Sequence, residues 1–439
     1  MKIYILGICG TFMAGIAALA KEMGYEVSGC DEHVYPPMST HLERLGITVH
    51  EGYDSQHIID AAADQIIVGN VIKRGNPSIE YVLNQKLTYI SGPQWLAENV
   101  LKQRQVIAVA GTHGKTTTAT MIAWILQTVL SQKNDATEVG FLIGGLPQNF
   151  NQSARLGNTD VFVIEADEYD AAFFDKRSKF VHYQPSVCVL NNLEFDHADI
   201  FNSIDDIKRQ FHHLIRTIPG NGTIISNDAF PYLNEVLTMG CWTPTIKFNC
   251  RASWHYQRLA DDGSHFTIME ADKKHGKVNW SLIGEHNMSN ALAAIIAAQA
   301  VGIHPAQAII ALNDFKNVKR RLEIRHVINT MTIYDDFAHH PTAISKTIAA
   351  LRAKVGNAKI IALVEPACYT MRHATQQQDI IHALRQADYF MIKSNSLSTD
   401  QILTQVKKIV EPNSHILVMS NRDFDNIHQR LPEILRKIR

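Results

Sequence analysis

Residues Gly111-Thr112-His113-Gly114-Lys115-Thr116-Thr117-Thr118 place two glycines, a lysine and a run of hydroxyls directly after the apolar stretch from Val106 to Ala110. A strand that turns through Gly-x-x-Gly-Lys-Thr into a helix gathers backbone N–H groups and the helix N-terminus around a phosphate. The lysine can then reach the outer phosphates, and the threonine hydroxyl can bind Mg²⁺. Such a loop serves phosphoryl transfer. Val109 stands where the longer Gly-x-x-x-x-Gly-Lys loop has its first glycine, so the loop is a shortened variant. A glycine turn with a chance Lys-Thr is the alternative, and the agreement of strand, turn and helix speaks against it.

Phosphoryl transfer also needs metal ligands on neighbouring strand ends. Two clusters offer them: Glu165-Ala166-Asp167-Glu168-Tyr169-Asp170 after an apolar strand at Val161 to Ile164, and Asn192-Leu193-Glu194-Phe195-Asp196-His197-Ala198-Asp199 after another at Val187 to Leu190. Most of these acids must be solvated rather than ligating, and periodicity does not choose among them. A second glycine turn, Gly7-Ile8-Cys9-Gly10-Thr11-Phe12, follows the strand from Lys2 to Leu6. Cys9 and Phe12 occupy positions that a dinucleotide-binding Gly-x-Gly-x-x-Gly gives to glycine, which disfavours NAD. The amides of Cys9, Gly10, Thr11, Phe12 and Met13 could still hold a pyrophosphate at the helix start, and Asp31 lies beside the end of the next strand. A tight turn that binds nothing is the competing reading.

These sites require an α/β framework. Strand, glycine turn and helix restart three times along the 439 residues, which predicts three domains at about 1–104, 105–318 and 319–439. The polar stretch from Glu98 to Gln105 and the basic stretch from Lys316 to Arg321 look like the separators. Two uncharged stretches, Thr116 to Gln132 and Ser289 to Asn313, are too polar or too interrupted to span a bilayer and read as buried helices. Forty-two Lys and Arg balance 43 Asp and Glu, so no overall field draws the chain to nucleic acid or an anionic membrane. Six scattered cysteines without a Cys-x-x-Cys pair argue against a zinc knuckle or a disulfide framework. With no signal-peptide pattern, a cytoplasmic location is expected. No obligate protein partner is signalled.

The motifs together resemble the Mur ligase family: Gly-Thr-His-Gly-Lys-Thr-Thr-Thr at 111–118, Glu-Ala-Asp-Glu at 165–168, Asp196-His197, Gly-Glu-His-Asn-Met-Ser-Asn at 284–290, Arg320-Arg321, and Asp335-Asp336-Phe337-Ala338-His339-His340-Pro341. The resemblance implies a Rossmann-like N-terminal domain for a UDP-linked substrate, a central P-loop ATPase-like domain, and a Rossmann-like C-terminal domain closing on ATP and the acceptor peptide. It implies ATP and Mg²⁺ as cofactors. By position, Lys115 becomes the phosphate-binding cation, Thr116 and Glu168 ligands of magnesium, and His197 a ligand of a second magnesium. His286, Asn287 and Asn290 would surround adenine, Arg321 would reach ATP from the linker, and Asp336 and His339 would lie near the ribose and the reacting centre. His339 is a conceivable general base. The segments Val34 to Ser39, Ser91 to Trp95 and Phe173 to Tyr183 look like those of members that join UDP-N-acetylmuramate to L-alanyl-γ-D-glutamyl-meso-diaminopimelate, with members adding a single L-alanine as the runner-up. A non-catalytic ATP-dependent switch is the rival from another class. Two departures stand out: Phe337-Ala338 replaces the commoner Tyr-Gly, and Ala367 stands where an arginine is usual.

Overall fold

A computed structural model describes residues 1–34, 38–198, 200–366 and 374–437. The expectations attached to residues 35–37, Asp199 and Ala367 lie outside those residues. Three large sheets and one two-stranded hairpin are formed among them, in keeping with the α/β, three-domain Mur ligase expectation.

The first sheet is wholly parallel and runs, edge to edge, Thr48–Glu51, Glu26–Asp31, Lys2–Leu6, Gln65–Val68, Tyr89–Ser91. Helix Thr11–Glu22 packs on it, with every residue from Met13 to Ala20 buried. On another face the helix meets the central domain, where a Cβ on Gly15 would lie 2.2 Å from Leu142.

The central sheet has ten strands, and its middle explains where chemistry gathers. Gln105–Ala110 lies between Val187–Leu190 and Val161–Ala166, all three parallel, so their C-terminal ends share one edge. These strands read as apolar runs because helices cover both faces of a parallel sheet. Helix Lys115–Ser131 leaves the phosphate loop and packs against Glu285–Ala300. The uncharged stretch from Ser289 to Asn313 is shared by two helices, Glu285–Ala300 and Pro305–Asn313. The second begins where the His304 ring accepts the Ala306 N–H and Pro305 takes the first turn.

One side of this sheet had no counterpart among the expected elements. Thr245–Phe248, Trp254–Arg258, His265–Glu270 and Lys273–Asn279 extend it, the last three pairing antiparallel. Trp254, Phe266, Ile268 and Val278 are buried while Lys273 and Lys274 are exposed. An edge meander with one wet face leaves no continuous apolar run to find.

The third sheet runs Glu323–Ile328, Met331–Asp336, His415–Met419, Ile360–Val364, Tyr389–Ile392, the first pair antiparallel and the rest parallel. The connections between sheets are tighter than polar linkers. Ala97–Leu101 continues helix Gly92–Leu96 as a π turn with Val100 and Leu101 buried. Between the second and third sheets, Val318 bridges Pro147 and the Lys319 N–H donates to the Leu146 carbonyl at 3.1 Å. One residue later the Arg320 N–H donates to Glu323 at 2.8 Å, and the Arg320 carbonyl accepts the Phe337 N–H at 2.8 Å.

Among the described residues no helix is long and apolar enough to cross a membrane. Cys9, Cys30, Cys188, Cys241 and Cys250 are free thiols.

Candidate active site

The phosphate loop is held open by the neighbouring strand ends. Asn192 clips His113 on both sides, its Oδ1 accepting the His113 N–H at 2.7 Å and its Nδ2 donating to the His113 carbonyl at 2.9 Å. The Thr112 hydroxyl accepts the Glu194 N–H at 2.9 Å. Gly114 adopts φ +78° as the helix N-cap, and a Cβ there would lie 2.6 Å from Asn290 Oδ1. Gly111 has φ +145°. Thr116 and Thr117 occupy the first, buried turn of the helix.

The charged groups meet below this loop. Lys115 Nζ donates to Glu168 Oε2 at 2.7 Å and lies 3.4 Å from Asp167 Oδ1. The His197 imidazole is 3.0 Å from the other Glu168 oxygen, and its Nδ1 bonds the Tyr169 hydroxyl at 2.7 Å. Burial opposes all these charges, but they outweigh it for one another. Glu168, Asp167 and Glu165 hold the Lys115 ammonium above its ordinary range despite burial. Burial would raise Glu168, yet Lys115 and His197 bring it below the usual carboxylate value. Asp167 is likewise held down to about 2, against burial, by Lys179 and Lys115. Glu165 goes the other way, raised by burial that Lys115 only partly offsets.

The acids of one strand end are thus sorted. Glu165 accepts the Thr116 hydroxyl at 2.9 Å and the Gly144 N–H at 2.7 Å. Glu168 faces Lys115 and His197, Asp167 sits between Lys115 and Lys179, and Asp170 pairs with Lys176. Thr116, expected beside Glu168 as a metal ligand, here has its hydroxyl on Glu165, a residue the sequence reading did not single out. Asp167, Glu168 and His197 bring three donor atoms within 4.8 Å of one another, a set that fits one divalent cation through two carboxylates and an imidazole.

The third domain contributes from the opposite side. Asp336 uses both oxygens on backbone, accepting the Leu322 and Ala338 N–H groups at 2.7 Å each. It therefore shapes the Arg320–Leu322 corner. The Arg321 guanidinium lies 5.1 Å from the Phe337 ring centroid, a contact that needs an aromatic ring but no hydroxyl. His339 is half-buried, and its Nδ1 lies 3.0 Å from the Phe337 carbonyl. Burial pushes that imidazole down to about 4, well below the neutral value expected of a free histidine. His286 is also held at about 4, by burial and then by Lys346 and Arg321. Asn290 stands against Gly114, with Oδ1 3.5 Å from Asn191 Nδ2, while Asn287 donates to the Ile283 carbonyl at 2.8 Å.

A second cluster was not foreseen. His113, Glu194 and His340 converge, with His113 Nε2 3.5 Å and His340 Nδ1 3.7 Å from Glu194 Oε2. Thr342, in the third domain, donates its hydroxyl to the same carboxylate at 2.6 Å. This bond ties the third domain to the strand end beside the phosphate loop. Its residues are about 150 positions apart in sequence, and no local pattern announces it.

At the N-terminal turn, Asp31 Oδ2 accepts the Cys9 N–H at 2.9 Å and the Gly10 N–H donates to the Gly7 carbonyl at 3.3 Å. Two of the five amides expected for a pyrophosphate thus bond within the chain. Those of Thr11, Phe12 and Met13 form the helix start, where Gly10 caps without a side-chain bond and no acid occupies the first turn.

Comparison with known proteins accounts for the whole chain. Residues 2–104 match the Mur ligase family catalytic domain, 109–298 the Mur ligase middle domain, and 320–427 the Mur ligase glutamate ligase domain. The chain is 49% identical to the UDP-N-acetylmuramate–L-alanyl-γ-D-glutamyl-meso-2,6-diaminoheptandioate ligase of Escherichia coli, over 100% of this chain and 99% of that one. It is 47% identical to the protein of the same name from Haemophilus influenzae, over 99% of each. A solved structure of a murein peptide ligase from Psychrobacter arcticus is 41% identical and superposes with a TM-score of 0.77, covering 100% and 99% of the two chains.

Proposed function

The chain belongs to the Mur ligase family, and from that premise we propose that it joins UDP-N-acetylmuramate to L-alanyl-γ-D-glutamyl-meso-diaminopimelate with conversion of ATP to ADP and phosphate, recycling cell-wall peptide in the cytoplasm. The observation that carries this reading is the full-length identity to relatives bearing that name. The charged cluster around Lys115 supplies the matching chemistry.

A carboxylate is a poor acyl donor. Transfer of the γ-phosphoryl group to the lactyl carboxylate gives an acyl phosphate and ADP; the peptide amine then adds, and phosphate leaves as the amide forms. Lys115 holds the outer phosphates, and the loop amides from Gly111 to Thr117 receive the rest of the triphosphate. Glu168 and His197 are the residues that would hold Mg²⁺, with Asp167 beside them and Thr116 completing the phosphate side. Mg²⁺ supplies neutralisation of charge developing on the transferring phosphoryl oxygens. His286, Asn287 and Asn290 take the adenine side, and Arg321 and Asp336 close it from the linker. His339, neutral at physiological pH, stands as an acceptor for the proton the amine must lose. Residues 1–104 take the UDP end at the helix start, 105–318 take ATP, and 319–439 close over the acceptor and exclude water.

Phosphate release from ATP and UDP-N-acetylmuramate, measured against L-alanine, the dipeptide and the tripeptide, tests this directly. Release that requires both the nucleotide sugar and the tripeptide is expected. Turnover with L-alanine alone would install the runner-up, and release independent of any amine would favour the switch.

A further inference from the structure

Lys179 is a buried ammonium that the reaction described above does not use. It opens the short turn Lys179–His182, where its N–H donates to the Tyr169 carbonyl at 2.8 Å. That bond anchors the turn directly after the hairpin Asp170–Ala172 and Asp175–Ser178. The residue is 8% exposed, and its Nζ reaches Asp167 Oδ2 at 3.3 Å. Asp167 already serves Lys115 with its other oxygen, and Lys115 has Glu168 as its nearer partner. One carboxylate therefore spans two buried cations.

The remaining surroundings of Lys179 are aromatic. Its Nζ lies 5.3 Å from the ring centroid of Phe12 and 5.5 Å from that of Tyr169. Lys179 carries three N–H groups, and Asp167 is its one oxygen acceptor among the described residues. Phe12 belongs to the first turn of helix Thr11–Glu22, the proposed seat of the pyrophosphate. The ammonium thus stands between the N-terminal turn and the cluster that would hold the γ-phosphate. UDP-N-acetylmuramate must cover that interval, with its pyrophosphate at one end and its lactyl carboxylate at the other. A salt bridge serving only to fix Asp167 would not require a cation directed against Phe12 of another domain.

We propose that Lys179 binds the lactyl carboxylate of the donor and presents it to the phosphoryl group held by Lys115. The inference rests on the reading of the chain as a ligase of UDP-N-acetylmuramate. It assigns Lys179 the discrimination between that donor and UDP-N-acetylglucosamine, which has the same nucleotide and sugar but lacks the lactyl ether. Phosphorylation removes the carboxylate charge, so the contact weakens once the acyl phosphate forms.

Calorimetric titration of the full chain with each nucleotide sugar, in the presence of Mg²⁺ and a non-hydrolysable ATP analogue, tests the assignment. The wild type should favour UDP-N-acetylmuramate. Lys179→Met should bind it about 10–100-fold more weakly, the range of one charge-assisted contact, while UDP-N-acetylglucosamine changes by less than about twofold. Lys179→Arg, which keeps the charge, should recover part of the preference and gives the reading if the methionine variant does not fold. The ratio between the two sugars is the reading, because loss of the Asp167 partner would act on the ATP analogue alike with either one. Equal weakening of the two sugars, or an unchanged ratio between them, would overturn the proposal. A wild type that binds neither sugar would instead bring down the ligase reading on which it rests.

Discussion

Two glycine turns in this molecule follow the same local recipe and end in opposite states. Gly111 to Lys115 carries its own cation, is clipped by Asn192, and faces a ring of carboxylates and imidazoles that are already paired. Gly7 to Gly10 carries no cation, is clipped by Asp31, and presents a bare helix start. Backbone amides and a helix N-terminus suffice to seat a phosphate that only has to be held. A phosphate that is to be transferred needs mobile charge neutralised as it develops, which backbone dipoles alone supply poorly. The N-terminal turn has a buried ammonium near it only because Lys179 arrives from the next domain.

The contrast can be broken most severely at Lys115. Lys115→Ala should lower kcat by at least about 10²–10³, the usual cost of one charge-stabilising contact, with the fold intact by circular dichroism. Near-normal turnover would remove the functional distinction between the turns. Gly114→Ala comes next. It forces φ +78° on a residue with a side chain and drives Cβ to 2.6 Å from Asn290 Oδ1, so ATP affinity should fall about 10–100-fold by titration. An unaltered affinity would mean that the loop geometry does not matter for ATP.

Asp31→Ala sharpens the comparison from the other side. It leaves the Cys9 N–H without its acceptor, which costs about 1–3 kcal/mol, so nucleotide-sugar binding should weaken by about tenfold while ATP binding stays within about twofold. Loss of ATP binding in equal measure would show that the two turns are not independent. The smallest effect is one of pH. Burial puts the His339 imidazole at about 4, down from an ordinary 6.5, so it is deprotonated above that value and does not titrate near neutrality. The ratio of wild-type to His339→Ala turnover should therefore stay flat between about pH 5.5 and 8. A ratio rising tenfold through pH 6.5 would falsify the depressed value.

What the sequence made legible followed from burial. Ile360–Val364 and Val187–Leu190 are covered on both faces, so their apolar runs stand out, and both phosphate-type turns follow such runs. Lys273–Asn279 carries three lysines and a single aliphatic residue, so no apolar run marks it. The site divides in the same way. Lys115 could be named from its loop alone. The acids after Val161 could be named only as a group, because their division among Thr116, Lys115, Lys179 and Lys176 depends on residues brought in from other elements. The Glu194 cluster, completed by His340 and Thr342, is a product of domain packing and has no local signature. Asp336 was expected near the ribose, and its bonds to Leu322 and Ala338 give it a second task in shaping the linker.

That linker sets the mechanics of the whole molecule. The Lys319 N–H is bonded into the central domain and the Arg320 backbone into the third, where the Arg320 guanidinium also donates to the Ser420 carbonyl at 2.6 Å. Along the backbone the axle between the two bodies is consequently one peptide unit wide, with Thr342 on Glu194 as a tie away from it. Arg321 sits beside that axle and has almost no lever arm, and the Phe337 ring under its guanidinium is held to the same place by the Arg320 carbonyl. A rotation of the third domain about it would leave Arg321 nearly in place but would break the Thr342–Glu194 bond, so that hydroxyl acts as a latch on the joint.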